Sequence, residues 1–325
     1  MEKDAGQQGI VGNRTSTLGA ALLLTALLAG NAALASGVVF VRLVDTGPVA
    51  AGFWRLFLAL PFLLALASYR GERPLAVPRK TVLLVAIAGL CFAADVAAWH
   101  IGIGMTRLGN AVLFANSGSL VLMVWGFVVA GLFPRFREWS AIAMALTGAA
   151  LLLGRSLEIS TTTLVGDLFS LMAGMFYAGY LLILQDARRS IGSWSLLFWS
   201  GMAGAPFLLA LAWGLGEAIW PEVWWPIVAL FVVNQLVGQG LMVYSLGHFP
   251  PLVIGLALLT QPAIAAVVGY SVFGEVLTAL DVAGMLLLGS ALVVARVVQP
   301  SSSRPSNPSS QRKLGSQAPR TKGGE

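Results

Sequence analysis

One apolar stretch, Phe92–Asn116, holds Asp95, His100, Arg107, Asn110 and Asn116, side chains able to carry a proton, hold a charge or bind a polar solute. Within a bilayer such groups are costly, and they mark functional sites. The preceding apolar run carries Arg55. If that run enters from outside near Gly47 and the next leaves near Gly102, Arg55 and Asp95 lie ~8 and ~7 residues below the outer surface, about 10–12 Å deep at the helical rise. Either charge alone costs at least about 2.5 kcal/mol there, so the two suit a neutralising pair. A structural salt bridge and a substrate or proton site are equal readings of it.

Trp99 follows Asp95 by four residues and shares its helical face. It could stack on a solute or anchor the interface. His100 is turned about 140° from Asp95 and could titrate or donate a hydrogen bond near the outer end, or sit there capped. Asn31 and Asn116 fall deep in their runs and need a partner on another helix or in a polar cavity. Gln235, Gln239 and Met242 make one stripe. Gln261 precedes Pro262 in mid-run, where a proline frees a backbone carbonyl, a device of transporter binding sites and also of plain packing kinks. Tyr177 and Tyr180 could line the inner half of a cavity or merely pack. The site read from the sequence is thus Asn31, Arg55, Asp95, Trp99, His100, Asn116, Tyr177, Tyr180, Gln235, Gln239 and Gln261.

Enzyme chemistry finds little support. There is no His-Glu-x-x-His pattern, Gly166-Asp167 lacks a partner motif, and Ser117-Gly118-Ser119 lacks a histidine at suitable depth. Cys91 is the single cysteine, which excludes an intrachain disulfide and a cysteine metal cluster. No cofactor is expected.

The elements that must position these residues are membrane helices. Of 325 residues, 57% are hydrophobic and 10% charged, and mean hydropathy is +0.82; an ordinary soluble domain carries about 25% charged residues. Ten apolar runs follow one another, at about 17–41, 47–69, 79–102, 108–132, one ending near 154, 163–185, 193–214, 223–246, 250–273 and 277–297. The first imitates a signal peptide, with Ala33-Leu34-Ala35 as a cleavage site, but its removal would break the repeat described next. The fold class expected is an all-α membrane protein with ten transmembrane helices. Residues 1–16 read as a cytoplasmic tail. Residues 298–325, rich in Ser, Pro, Lys and Arg, read as a disordered one.

The net charge of +6 lies in loops and tails, which points to the membrane surface and not to nucleic acid. The connections after the second, fourth and sixth runs hold eight Lys/Arg, and those after the first, third and fifth hold three, Arg42, Arg107 and Arg155. Both termini are therefore expected on the cytoplasmic side. Met144–Arg155 aligned on Met285–Arg296 agrees at six of twelve positions. Five runs per half is an odd number, so residues 17–155 and 156–297 would be inverted repeats with a site between them.

These residues carry a resemblance. The region 17–297 resembles the EamA branch of the drug/metabolite transporter superfamily in its two five-helix halves, in Phe53-Trp54-Arg55 and in Gly274-Glu275. A bacterial subgroup pattern is similar to Ala94-Asp95-Val96-Ala97-Ala98-Trp99-His100, to Gly109–Asn116, and to Tyr180, Gln261 and Pro262. Where that family usually has proline after Asn116, this chain has Ser117-Gly118-Ser119, which weakens the expectation of a break in the fourth run. Its Gly-Glu there is replaced by Phe133–Glu138. The resemblance implies export of a small organic metabolite or amino-acid-like solute across the inner membrane by alternating access. Asp95 and His100 would exchange protons unless Arg55 keeps the aspartate paired. A lipid transporter or scramblase, or an intramembrane enzyme, is the alternative.

Overall fold

The structure, a computed structural model, describes residues 3–106, 108–131, 135–154, 162–273 and 277–297. Arg107, Arg155, Phe133-Pro134, Gly274-Glu275 and the tail from Gln299 lie outside the described residues. Among the described residues every regular element is a helix. In lipid this is what the sequence dictates, because a helix satisfies its backbone polar groups within the segment.

The polar N-terminal residues expected as a tail continue the first helix, α1 (Lys3–Ala35). At Ser36 the helix is interrupted, the Ser36 Oγ donating to the Ala33 carbonyl at 2.7 Å, and α2 (Gly37–Leu43) follows. α3 (Pro48–Tyr69) opens with proline at its first position, where the missing N–H costs nothing. α4 (Arg79–Met105) carries the Phe92–Gly102 part of the polar stretch.

The fourth run is two helices, α5 (Leu108–Ala115) and α6 (Ser117–Ala130), broken at Asn116 without any proline. Instead the Asn116 side chain donates to the Val112 carbonyl at 2.7 Å, competing with the helix's own ladder. Next come α7 (Phe136–Gly154), α8 (Leu164–Ala187) and α9 (Ser193–Gly214). The eighth run starts as α10 (Trp225–Ala229), widens into a ten-residue π-helix (Leu230–Gln239) and returns as α11 (Gly240–Leu246). Long π-helices are rare and gather at functional sites. The ninth run splits into α12 (Pro251–Leu258) and α13 (Gln261–Phe273), with Pro262 in the first turn of α13. Its ring would clash with the Leu258 carbonyl, four residues back, if the helix ran on. α14 (Ala279–Val297) closes the fold.

Among the described residues, seven stretches are long and apolar enough to cross a membrane: Gly19–Val41, Pro48–Tyr69, Arg79–Met105, Asn110–Val129, Leu164–Ala187, Ser193–Gly214 and Trp225–Leu246. The fifth, ninth and tenth runs are also helical, the last two with shorter apolar segments, Pro251–Ile264 and Ala279–Val294. The molecule is thus a multi-pass membrane protein. α4 packs on α8 and α9, α3 on α9, α7 on α14, α6 on α12, and α1 on the π-helix and α11. In the α7–α14 crossing Gly148 and Gly284 each face the other's carbonyl, whereas Gly289, aligned with Gly148 by sequence, has no neighbour within 4 Å.

Candidate functional site

Arg55, only 6% exposed on α3, is the centre of the buried polar groups. Its Nε donates to Gln235 Oε1 of the π-helix at 3.1 Å. The guanidinium carbon lies 5.5 Å from the centre of the Phe92 ring on α4, within cation–π range. Asp95, half-buried one turn beyond Phe92, acts on the guanidinium through space. The direct ion pair expected of these two residues is not formed: the Arg55 Nε edge is taken by Gln235. A guanidinium and a carboxyl group thus lie near each other without pairing.

Around them stands an aromatic wall. Phe92 stacks on Tyr180 with centroids 4.6 Å apart and planes at 19°, and Tyr177 lies 5.9 Å from Tyr180. The Tyr177 hydroxyl accepts from Gln239 Nε2 at 3.4 Å. The Gln239 Oε1 and Tyr180 hydroxyl oxygens are buried without a hydrogen-bond partner, Ser200 lying near the latter but outside bonding geometry. Each buried group left in that condition costs about 1–3 kcal/mol.

Other expected site residues fall elsewhere. His100 is 2% exposed, and its Nδ1 lies 2.6 Å from the Pro48 carbonyl at the start of α3. That carbonyl can only accept, which makes Nδ1 the protonated nitrogen; the buried Nε2 has no partner. Trp99 is half-buried and meets His100, ring centroids 5.7 Å apart, not the Arg55 group. Asn31 spans the break in the ninth run, donating to the Ala257 carbonyl at 2.7 Å and Thr260 Oγ1 at 2.8 Å. Gln261 Nε2 donates to the Asn31 Oδ1 at 3.0 Å. Asn116 bonds its own turn. Arg55 with Gln235, Asn31 with Gln261, and Asn116 on its own turn therefore form three separate groups.

Asp167, weak as a sequence signal, is 4% exposed and accepts from Thr106 Oγ1 at 2.6 Å and Asn110 Nδ2 at 3.0 Å. It ties the start of α8 to the beginning of the fourth run. Among the described residues no group of three His, Cys, Asp or Glu side chains could hold a metal ion.

Sequence reasoning missed Phe92, Asn234 and Thr260. Phe92 precedes Asp95 by three residues, a spacing that puts both on one face, so its signal was present. Asn234 donates to the Ala33 and Leu34 carbonyls at 2.8 and 3.0 Å. Its role depends on the break at Ser36, which has no marker in the apolar pattern.

Comparison with known proteins adds a family. The model of the EamA-like transporter family matches residues 18–154 and again 164–297. An uncharacterized transporter of Archaeoglobus fulgidus is 27% identical over 286 residues, 86% of this chain and 94% of that protein. The threonine/homoserine exporter RhtA of Salmonella typhimurium is 26% identical over 284 residues, 86% and 94% of the two chains. Its Escherichia coli K12 counterpart is 25% identical over 278 residues, 84% and 90%. One crystal structure superposes with a TM-score of 0.70 at 16% identity over 85% of this chain and 96% of the other, which shows a shared fold.

Proposed function

The chain belongs to the EamA-like transporter family, and on that premise we propose that it exports a small zwitterionic solute of the amino-acid type by alternating access. The observation that carries this reading is the pair Arg55 and Asp95. Gln235 holds the arginine by Nε, which leaves its terminal amino groups for a carboxylate. Asp95, with no direct ion pair to Arg55, is suited to an ammonium group. Phe92, Tyr177 and Tyr180 form an apolar floor between them. The buried Tyr180 hydroxyl and Gln239 Oε1 supply polar contacts for a side-chain hydroxyl. The exporters RhtA act on threonine and homoserine by name, which supports this class.

Ten membrane helices in two inverted halves are part of the proposal. Gly47, Trp54, Pro61, Gly71 and Glu72 recur in order and spacing as Gly192, Trp199, Pro206, Gly216 and Glu217. The packing supports it too: exchanging the halves turns α4 on α8 into the eighth run on α1, and leaves α3 on α9 and α7 on α14 unchanged. With both termini cytoplasmic in the inner membrane, α3 enters from outside and the Arg55 group lies between the halves. The solute's ammonium would displace any proton on Asp95, which would make export an exchange against protons.

Purified protein in proteoliposomes loaded with threonine tests the reading. It predicts saturable counterflow of labelled threonine or homoserine, weakened when the carboxylate is converted to an amide. Equal transport of the amide, or none of any amino acid, removes the zwitterion site.

A further inference from the structure

α3 and α9 are fastened together at both ends by two matching devices. Gly71, at φ 74°, lets the chain turn sharply off the end of α3. Glu72 follows, and its carboxylate accepts from the Trp194 and Ser195 amides of α9 at 3.4 and 2.8 Å and from Ser195 Oγ at 2.7 Å. At the other end Gly216, at φ 69°, turns the chain off α9. Glu217 then accepts from the Val49 and Ala50 amides of α3 at 3.3 and 2.8 Å.

The indoles repeat the exchange. Trp199 Nε1 donates to the Pro74 carbonyl at 2.8 Å, and Trp54 Nε1 to the Ile219 carbonyl at 2.6 Å. Gly192 and Gly47 precede the two helices, and a side chain at either would run into the Glu72 or Glu217 carboxylate. α3 has 22 residues, so the two devices stand about 30 Å apart along its axis, one at each end of a membrane span.

Both devices are closed in the same structure. For α3 and α9 to part at either face, a carboxylate cap, a charge-assisted bond to the helix amides, would have to open. The two halves differ elsewhere. α4 meets α9 at bare backbone, Gly89 against the Ser200 carbonyl. Its counterpart, the π-helix on α3, is bridged by the long side chains Arg55 and Gln235. The asymmetry lies in what surrounds the α3–α9 pair and not within it.

We propose that α3 and α9 form a fixed post through the membrane, clamped at both faces by Glu72 and Glu217, about which the other helices move during transport. This rests on the alternating-access reading above.

The test uses the full chain with Cys91→Ala. Leu60→Cys and Gly201→Cys place two thiols across the post, since a Cβ at Gly201 lies 3.0 Å from the Leu60 side chain; a short bifunctional thiol reagent then joins them. Threonine counterflow within about twofold of the uncrosslinked protein is the expected result. Arrest by the crosslink, reversed when a cleavable reagent is cut, overturns the post. Spin labels at Tyr69→Cys and Trp213→Cys, both exposed and at the far ends of α3 and α9, supply a readout that needs no solute. One narrow distance distribution is expected, and two populations overturn the proposal. Failure of the unmodified protein to carry any solute would instead strike the transport reading, and the spin-label distance would still decide on the post.

Discussion

Replacing Glu72 by alanine is expected to destabilise the protein by about 2 kcal/mol, as follows from three contacts. The carboxylate caps the first turn of α9 through the Trp194 and Ser195 amides and also holds the Ser195 hydroxyl. Loss of an N-terminal cap costs about 0.5–2 kcal/mol. Ser195 is only 2% exposed, so its amide and hydroxyl lose their partner where water does not readily replace it, and an unsatisfied buried donor costs about 1–3 kcal/mol. These two costs overlap, which places the sum near 2 and not at 5. Glu217→Ala removes the bonds to Val49 and Ala50, both fully buried, and should cost about the same on those grounds. With the two sites about 30 Å apart, their effects should add. Chemical unfolding of the detergent-solubilised protein measures this, with exposed Glu222→Ala as the unaffected control. A double variant no less stable than either single one would refute the reasoning.

Gly89→Ala drives a methyl group into the Ser200 carbonyl and should cost about 1–3 kcal/mol by overpacking; Gly179→Ala, with nothing within 4 Å, should be neutral in the same unfolding assay. Asn31→Leu leaves Gln261 Nε2 without its acceptor and frees Thr260 at the break between α12 and α13, so a loss of about 1–3 kcal/mol should accompany faster hydrogen exchange around Thr260. Gln235→Leu leaves Arg55 charged but unaimed, and transport kinetics should show a raised KM with a smaller change in maximal rate.

The sequence reading located helices well where composition changes abruptly. Pro48 opens the second apolar run and an arginine-rich loop follows Tyr69 at its end, so the helix expected at 47–69 is found at Pro48–Tyr69. Burial of Arg55, Asn31 and Gln235 also followed from their depth in apolar runs. Their partners did not follow, because depth says nothing about rotation: Arg55 faces Gln235 across the halves and not Asp95 alone. The break at Asn116 occurs without the proline that would mark it in the sequence, and the Asn116 side-chain amide bonds the Val112 carbonyl there. The π-helical geometry over Leu230–Gln239 does not follow from the apolar pattern, whereas its Asn234, Gln235 and Gln239, which bond to three different helices, stand out in the sequence. The repeated Gly-Trp-Pro-Gly-Glu spacing is legible in the sequence and marks the repeat more strongly than the match between the fifth and tenth runs.

Counterflow of labelled threonine and homoserine in proteoliposomes, compared between the unaltered protein, Arg55→Gln and Asp95→Asn, tests the central claim most directly. The account predicts transport by the unaltered protein and at least about a tenfold loss in each variant, equivalent to 1.4 kcal/mol of binding, with folding intact by unfolding midpoint. Undiminished transport in both folded variants would contradict it.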